Sequence, residues 1–79
     1  MVRLNELKDG EECVVVSLLA KDSLRRRFQD LGIIEGTRIK RLKSSPLGDP
    51  VSYFVVGAVI AIRSCDAYLI EVEKWHGAN

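Results

Sequence analysis

Apolar positions along this chain fall into short runs, and their spacing changes period only once. The opening stretch "MVRLNELKDGEE" is mostly polar; its Leu4 and Leu7 are placed to pack as a short lead-in before the turn signalled by Asp9-Gly10. "ECVVVSLLA" follows, rich in valine and nearly continuous in apolar residues, which predicts a buried strand. The period then switches in "KDSLRRRFQDLG", where Leu24, Phe28 and Leu31 fall at i, i+4 and i+7 on one face of a helix over residues 23–31. Asp22 or Ser23 is placed to cap that helix, and Arg26 and Asp30 are spaced to pair on its solvent side. Gly32 sits where a helix ends in a left-handed residue. A helix this short depends for its stability on docking its apolar face.

Strand-like segments fill the rest of the chain. In "TRIKRLKSS", Ile39 and Leu42 have opposite parity, so either a bulge lies between them or one is exposed. "SPLGDP" is a loop punctuated by Pro46, Gly48 and Pro50. "VSYFVV" is a strand, Gly57 a turn or bulge, and "VIAIR" a strand with Ile60 and Ile62 on one face. "SCDA" reads as a short turn. "YLIEVE" reads as the last strand, with Tyr68, Ile70 and Val72 facing one way and Glu71 and Glu73 the other, before the tail "KWHGAN". Five short strands, several linked by tight turns, and one short helix predict a mainly β fold: a small, partly open antiparallel barrel.

At 79 residues the chain is expected to be one domain, residues 1–79, with its core over 4–73 and a tail over 74–79. A domain of this size buries roughly 60% of the surface its unfolded chain exposes, enough for a marginal core. The hydrophobic fraction of 47% is that of a globular protein. No apolar run approaches the ~20 residues that span a bilayer, and the polar N-terminus lacks the apolar middle of a signal peptide. A cytoplasmic location without membrane insertion is therefore expected. Cys13 and Cys65 lie far apart and are expected to be two buried thiols, and the single histidine, His76, lies in the tail, so no metal site or cofactor is expected.

Net charge is only +1, but residues 21–43 carry eight basic and three acidic side chains, and the flanks are correspondingly acidic. One side of the protein is therefore expected to be positive. The glycines Gly32 and Gly36 follow a helix and precede a strand, at the carbonyl end of the helix dipole, and no lysine follows the second. That is the wrong polarity for a phosphate-binding loop. No carboxylate sits in an apolar stretch that would tune it for acid–base work, and no nucleophile has a histidine in reach, so no enzyme is expected. The arginines Arg25, Arg26 and Arg27 fan across the face opposite Leu24 and Phe28. They are either a solvated helix face or a surface for an acidic or anionic partner. A nucleic-acid-binding barrel would add exposed aromatics, and most of the few here alternate into core positions.

The ordered set "LNELKDGEECVVVSL", "LRRRFQDLGIIEGTRIKRL" and "SPLGDPVSYFVVGAVIAIRSCDAYLIEVE" resembles the FeoA family over residues 4–73. The chain departs from it at Phe28, where many members have leucine, and at Glu35, where proline is common. The resemblance implies an SH3-like barrel with a helix inserted after the first barrel strand. It also implies a small adapter or regulator in iron(II) uptake that acts on the cytosolic part of FeoB, a membrane permease with a GTPase domain. It lends no catalytic residues, metal ligands or cofactor. The alternatives are a nucleic-acid-binding module using the basic segment 21–43 and a detached SH3-like domain of a metalloregulator; no nucleic acid is expected under the first reading. A partner is expected in a cleft between the helix (Leu24, Arg25, Arg26, Arg27, Phe28) and the loop (Pro46, Leu47, Asp49). Weak self-association through barrel edge strands is also expected.

Overall fold

The structure is a computed structural model and describes residues 1–77; the last two residues of the expected tail, Ala78 and Asn79, lie outside the described residues. Six strands form one antiparallel sheet: β1 (Val2–Arg3), β2 (Glu12–Leu18), β3 (Arg38–Ser44), β4 (Val51–Val55), β5 (Ala58–Ile62) and β6 (Ile70–Trp75). Their order is β1-β6-β2-β3-β4-β5, so β1 and β5 are the edges and the sheet curls into a barrel that does not close. A 3-10 turn (Leu4–Glu6) follows β1, helix α1 (Asp22–Asp30) joins β2 to β3, and a one-turn helix α2 (Ser64–Ala67) joins β5 to β6.

Alternation explains which side chains fill the interior. Cys13 and Val15 from β2, Ile39 from β3, Val51, Tyr53 and Val55 from β4, and Ile70 and Val72 from β6 are all buried. The β2–β6 register shifts between Val15 and Ser17, which returns Leu18 to the inside although it breaks parity with Val15. The parity conflict of Ile39 and Leu42 resolves in the same manner. Ile39 is buried, Leu42 is half-buried, and the β3–β4 register shifts between Arg41 and Ser44. Leu4 and Leu7 are fully packed against this core.

Helix α1 keeps the predicted extent to within one residue. Its end is built as expected: Gly32 (φ +87°) is left-handed, its N–H donates to Gln29 O (3.0 Å), and the Ile33 N–H donates to Phe28 O (2.9 Å). Its start is not. The N-cap position is Lys21, no side-chain bond closes the terminus, and Asp22 itself has φ +55°. Tertiary contacts set this entry instead, because Ala20 is buried and Arg25 donates to Leu18 O (2.7 Å). The expected Arg26–Asp30 pair is not among the ion pairs of the described residues.

Several expectations for individual residues are corrected. Leu31 is exposed rather than packed into the core, because the turn after Gly32 sends only Ile33 inward. "SCDA" is helical, so β6 begins at Ile70 and Tyr68 is an exposed residue at the end of α2 rather than a core strand residue. Cys65 lies on the outer side of α2 and is exposed; only Cys13 is the expected buried thiol. Lys74 and Trp75 belong to β6 rather than to a tail. Phe54 faces outward, because β4 buries Tyr53 and Val55 on either side of it.

The β4–β5 hairpin turns through Val56 (φ +48°) and Gly57 (φ +79°), both left-handed as a two-residue turn of this kind requires. A β-branched residue pays a steric penalty there that asparagine largely escapes. Val56→Asn is expected to stabilise the chain by about 0.5–1 kcal/mol. The Val56 side chain lies beside Gly32, so a thermal melt checks the prediction, and a lowered midpoint would show that this packing matters more than the strain.

Candidate functional site

A cleft of about 230 Å³ separates α1 from β5. Its α1 wall is Leu24, Arg27, Phe28 and Leu31, and its sheet wall is Ile60, Ala61 and Ile62. Pro50, Arg63 and Asp66 complete it. The walls follow from two patterns. The i, i+4, i+7 face of α1 docks only through Phe28, 3% exposed, with Leu24 half-buried at its side. Ile60 is only partly buried, because the helix does not cover the sheet at that point. The floor is therefore apolar and the rim is charged, with Arg27 exposed and Arg63 only loosely paired to Asp66 (3.9 Å).

The expected site residues divide on this geometry. Leu24, Phe28 and Arg27 line the cleft together. Arg26 is exposed but does not line the cleft, because it projects from the side of α1 away from Leu24 and Phe28. Arg25 is tethered: its guanidinium is spent on the Leu18 carbonyl and holds the helix to β2. Pro46 and Leu47 are exposed in the 45–50 loop, Leu47 at 94%, but neither reaches the cleft, where the loop contributes Pro50 instead. Asp49 has a structural task. Its Oδ1 accepts from the Ser64 N–H (2.8 Å) and the Ser64 hydroxyl (2.9 Å), which ties the loop to the start of α2. Sequence reading missed Ile60, Ala61 and Arg63 as wall residues. No local signal marked them, because an uncharged run such as "AVIAI" reads the same in a central strand as at a sheet edge.

A second, more open recess of about 800 Å³ lies over the outer face of β3 and β4, around Lys40, Leu42 and Phe54. The groups whose titration the fold displaces upward lie inside the barrel rather than at either surface. Burial pushes the Cys13 thiol up to about 12, and burial likewise pushes the Tyr53 hydroxyl up to about 12. Glu11, which accepts the Lys8 N–H (2.7 Å), is held below the usual carboxylate range mainly by that bond. Among the described residues, no group of three or more His, Cys, Asp or Glu could hold a metal ion, and no helix is long and apolar enough to cross a membrane.

The sequence model of the FeoA domain matches residues 2–74. The chain belongs to the FeoA family. FeoA proteins take part in Fe(2+) transport, and the family is a small SH3-like domain rather than a known family of enzymes. This FeoA chain is 35% identical over 72 residues to the Fe(2+) transport protein A/Fe(2+) transporter FeoB fusion protein of Porphyromonas gingivalis. The match covers 91% of this chain but only 8% of that protein's length. The solution NMR structure of a FeoA protein from Chlorobium tepidum superposes with a TM-score of 0.89 at 36% identity, covering 99% of this chain and 74% of that one. The zinc complex of Stenotrophomonas maltophilia FeoA superposes with a TM-score of 0.81 at 27% identity, covering 92% and 91% of the two chains. That protein is described as a procaryotic SH3 domain protein and is suggested there as a ferrous iron transport activating factor. The FeoA architecture seen here is accordingly an SH3-like barrel, mostly β, with α1 inserted after the first long strand.

Proposed function

We propose that this FeoA chain is a cytoplasmic adapter that regulates the ferrous-iron permease FeoB by protein–protein contact, with no catalysis of its own. The observation that carries this reading is the Porphyromonas gingivalis fusion, in which a segment similar to nearly the whole of this chain shares one polypeptide with FeoB. Tethering two modules raises their effective concentration to the millimolar range, which is useful only where they must meet. The α1–β5 cleft, with Leu24 and Phe28 in its helix wall and Arg27 at its edge, is the surface assigned to FeoB.

A protein partner is favoured over nucleic acid by how the arginines and aromatics are used. Arg3 stacks on Tyr68 (4.3 Å to the ring centroid) and Arg38 on Trp75 (3.8 Å), so two aromatics that could stack on bases are covered by the chain's own cations. Within the basic segment, Arg25 and Arg41 are committed to backbone carbonyls, and Arg38 pairs with Glu12 (2.9 Å).

The test is the affinity of the full chain for the cytosolic part of FeoB. Arg26 and Arg27 are changed together to Ser, and Arg25 is left in place because its loss would loosen the helix. The double variant is expected to melt as the wild type does and to bind about tenfold more weakly near physiological salt, a loss that shrinks as salt rises. A wild-type chain that does not bind that part of FeoB would reject the adapter reading. Equal binding by the double variant at low salt would remove the arginines from the site.

A further inference from the structure

The α1–β5 cleft has one wall that is an unpaired strand. β5 is the last strand of the sheet, and its only strand neighbour is β4. The register pairs Val55 with Ala58 across the two-residue turn, and such a flanking pair exchanges both of its main-chain hydrogen bonds. By alternation Ile60, opposite Tyr53, and Ile62, opposite Val51, also bond inward to β4. Val59 and Ala61 therefore turn their N–H and C=O groups to the open side, and no other described segment bonds to them.

Natural sheets protect such edges with charge, proline or brevity. The other edge, β1, is only two residues long and carries Arg3. β5 is five residues of Ala, Val and Ile, with no charge and no proline. It is left bare where α1 stands off from it across an apolar floor. An open strand facing a helix across an apolar groove is the arrangement in which an extended peptide adds as a further strand.

We infer that the cleft binds an extended segment of a protein partner by strand addition to β5. This rests on the reading of the cleft as the partner surface and goes beyond it in naming the form of the ligand. The peptide's main chain bonds to Val59 and Ala61. Every second side chain enters the cleft against Leu24, Leu31 and Ile60 and must be apolar. The cleft's charged groups are Arg27, Arg63 and Asp66, two cations against one anion, so the segment carries an acidic residue beside Arg27. The occupant is a linear segment, because a cleft of about 230 Å³ admits a few side chains and not a folded domain.

The decisive variant is Ala61→Pro. It removes one outward N–H and no bond to β4, and proline is tolerated on an edge strand in that position. The probe is a displayed library of random dodecapeptides selected on the full-length chain. Enriched peptides are expected to alternate apolar residues, to carry one acid, and to bind Ala61→Pro at least about tenfold more weakly than wild type. N-methylation of an enriched peptide at alternate residues should abolish binding in one phase of the alternation and spare it in the other. This second measurement decides the matter if Ala61→Pro proves unfolded by its melt.

No enrichment, or enriched peptides indifferent to both changes, would overturn strand addition. So would a dimer in sedimentation that Ala61→Pro dissolves, because the edge would then belong to a second copy. The two readings fail separately. Equal FeoB binding by wild type and Ala61→Pro keeps the adapter and sinks strand addition. Peptides that need the β5 edge, with no FeoB binding, do the reverse.

Discussion

Replacing Phe28 by alanine is expected to lower the stability of the chain by about 3–5 kcal/mol. A nine-residue helix is too short to hold together in water by its own hydrogen bonds. α1 must be held by packing, and Phe28 is its only buried residue at 3% exposure. Leu24 is half-buried and Leu31 is 36% exposed, so neither can substitute. Removing the ring also leaves a cavity beneath the helix, between the core and the cleft. A small domain has about 5–15 kcal/mol of stability in all, so this one change brings the chain near its unfolding threshold. Phe28→Leu, which keeps most of the volume, is expected to cost less than about 1.5 kcal/mol. Urea titration of both variants checks the pair through the midpoint and the slope. A loss below about 1 kcal/mol for alanine would mean that α1 is docked by something other than this side chain.

Arg41→Leu is expected to cost about 2–4 kcal/mol. Arg41 lies on β3 with only 15% of its side chain exposed. Its Nη1 donates to Leu7 O (2.6 Å) and Asn5 O (3.4 Å), its Nη2 to Ser44 Oγ (2.9 Å), and its Nε to Asp9 Oδ1 (3.0 Å). One guanidinium thus fastens the 3-10 turn and the loop after it to the barrel, and it bridges the register shift between Arg41 and Ser44. Leucine preserves the bulk but leaves part-buried acceptors unpaired, which is where most of the cost arises. Lysine is not expected to rescue, since a single ammonium cannot reproduce a fork that reaches four acceptors. Asp9→Asn is expected to cost less than about 1 kcal/mol, because Asp9 is 56% exposed and that ion pair is screened. Melting at low and high salt separates the two views. A large, salt-sensitive loss in Asp9→Asn would show that the ion pair, not the carbonyl bonds, carries Arg41's contribution.

The structure shows how much of this could be read in advance. Gly32 and the Leu24–Phe28 spacing located α1 to within one residue, because a glycine stop and a helical period are local chemistry. The strands over 12–18, 38–44, 51–55 and 58–62 were legible for the same reason: alternation and turn residues act within a few positions. α2 was not legible, because four residues cannot display a period, and mistaking "SCDA" for a turn carried Tyr68 into the strand. The candidate site was half legible. The arginine row was visible, but that Arg25 serves Leu18 and Asp49 serves Ser64 depends on partners seven and fifteen residues away.

By itself, then, the sequence determined a mainly β barrel with one inserted helix, the shared face of Ile60 with Ile62 and of Ile70 with Val72, and the resemblance to FeoA. These are consequences of period, parity and glycine placement, which each segment carries alone. Only the tertiary structure decided that β5 is an open edge, that α1 stands across a cleft from it, and which arginines are left outside. Those outcomes depend on which strands pair and on a chain of contacts between distant segments. Ile60 has the same local signature whether the next object beside it is a strand, a helix or an open groove.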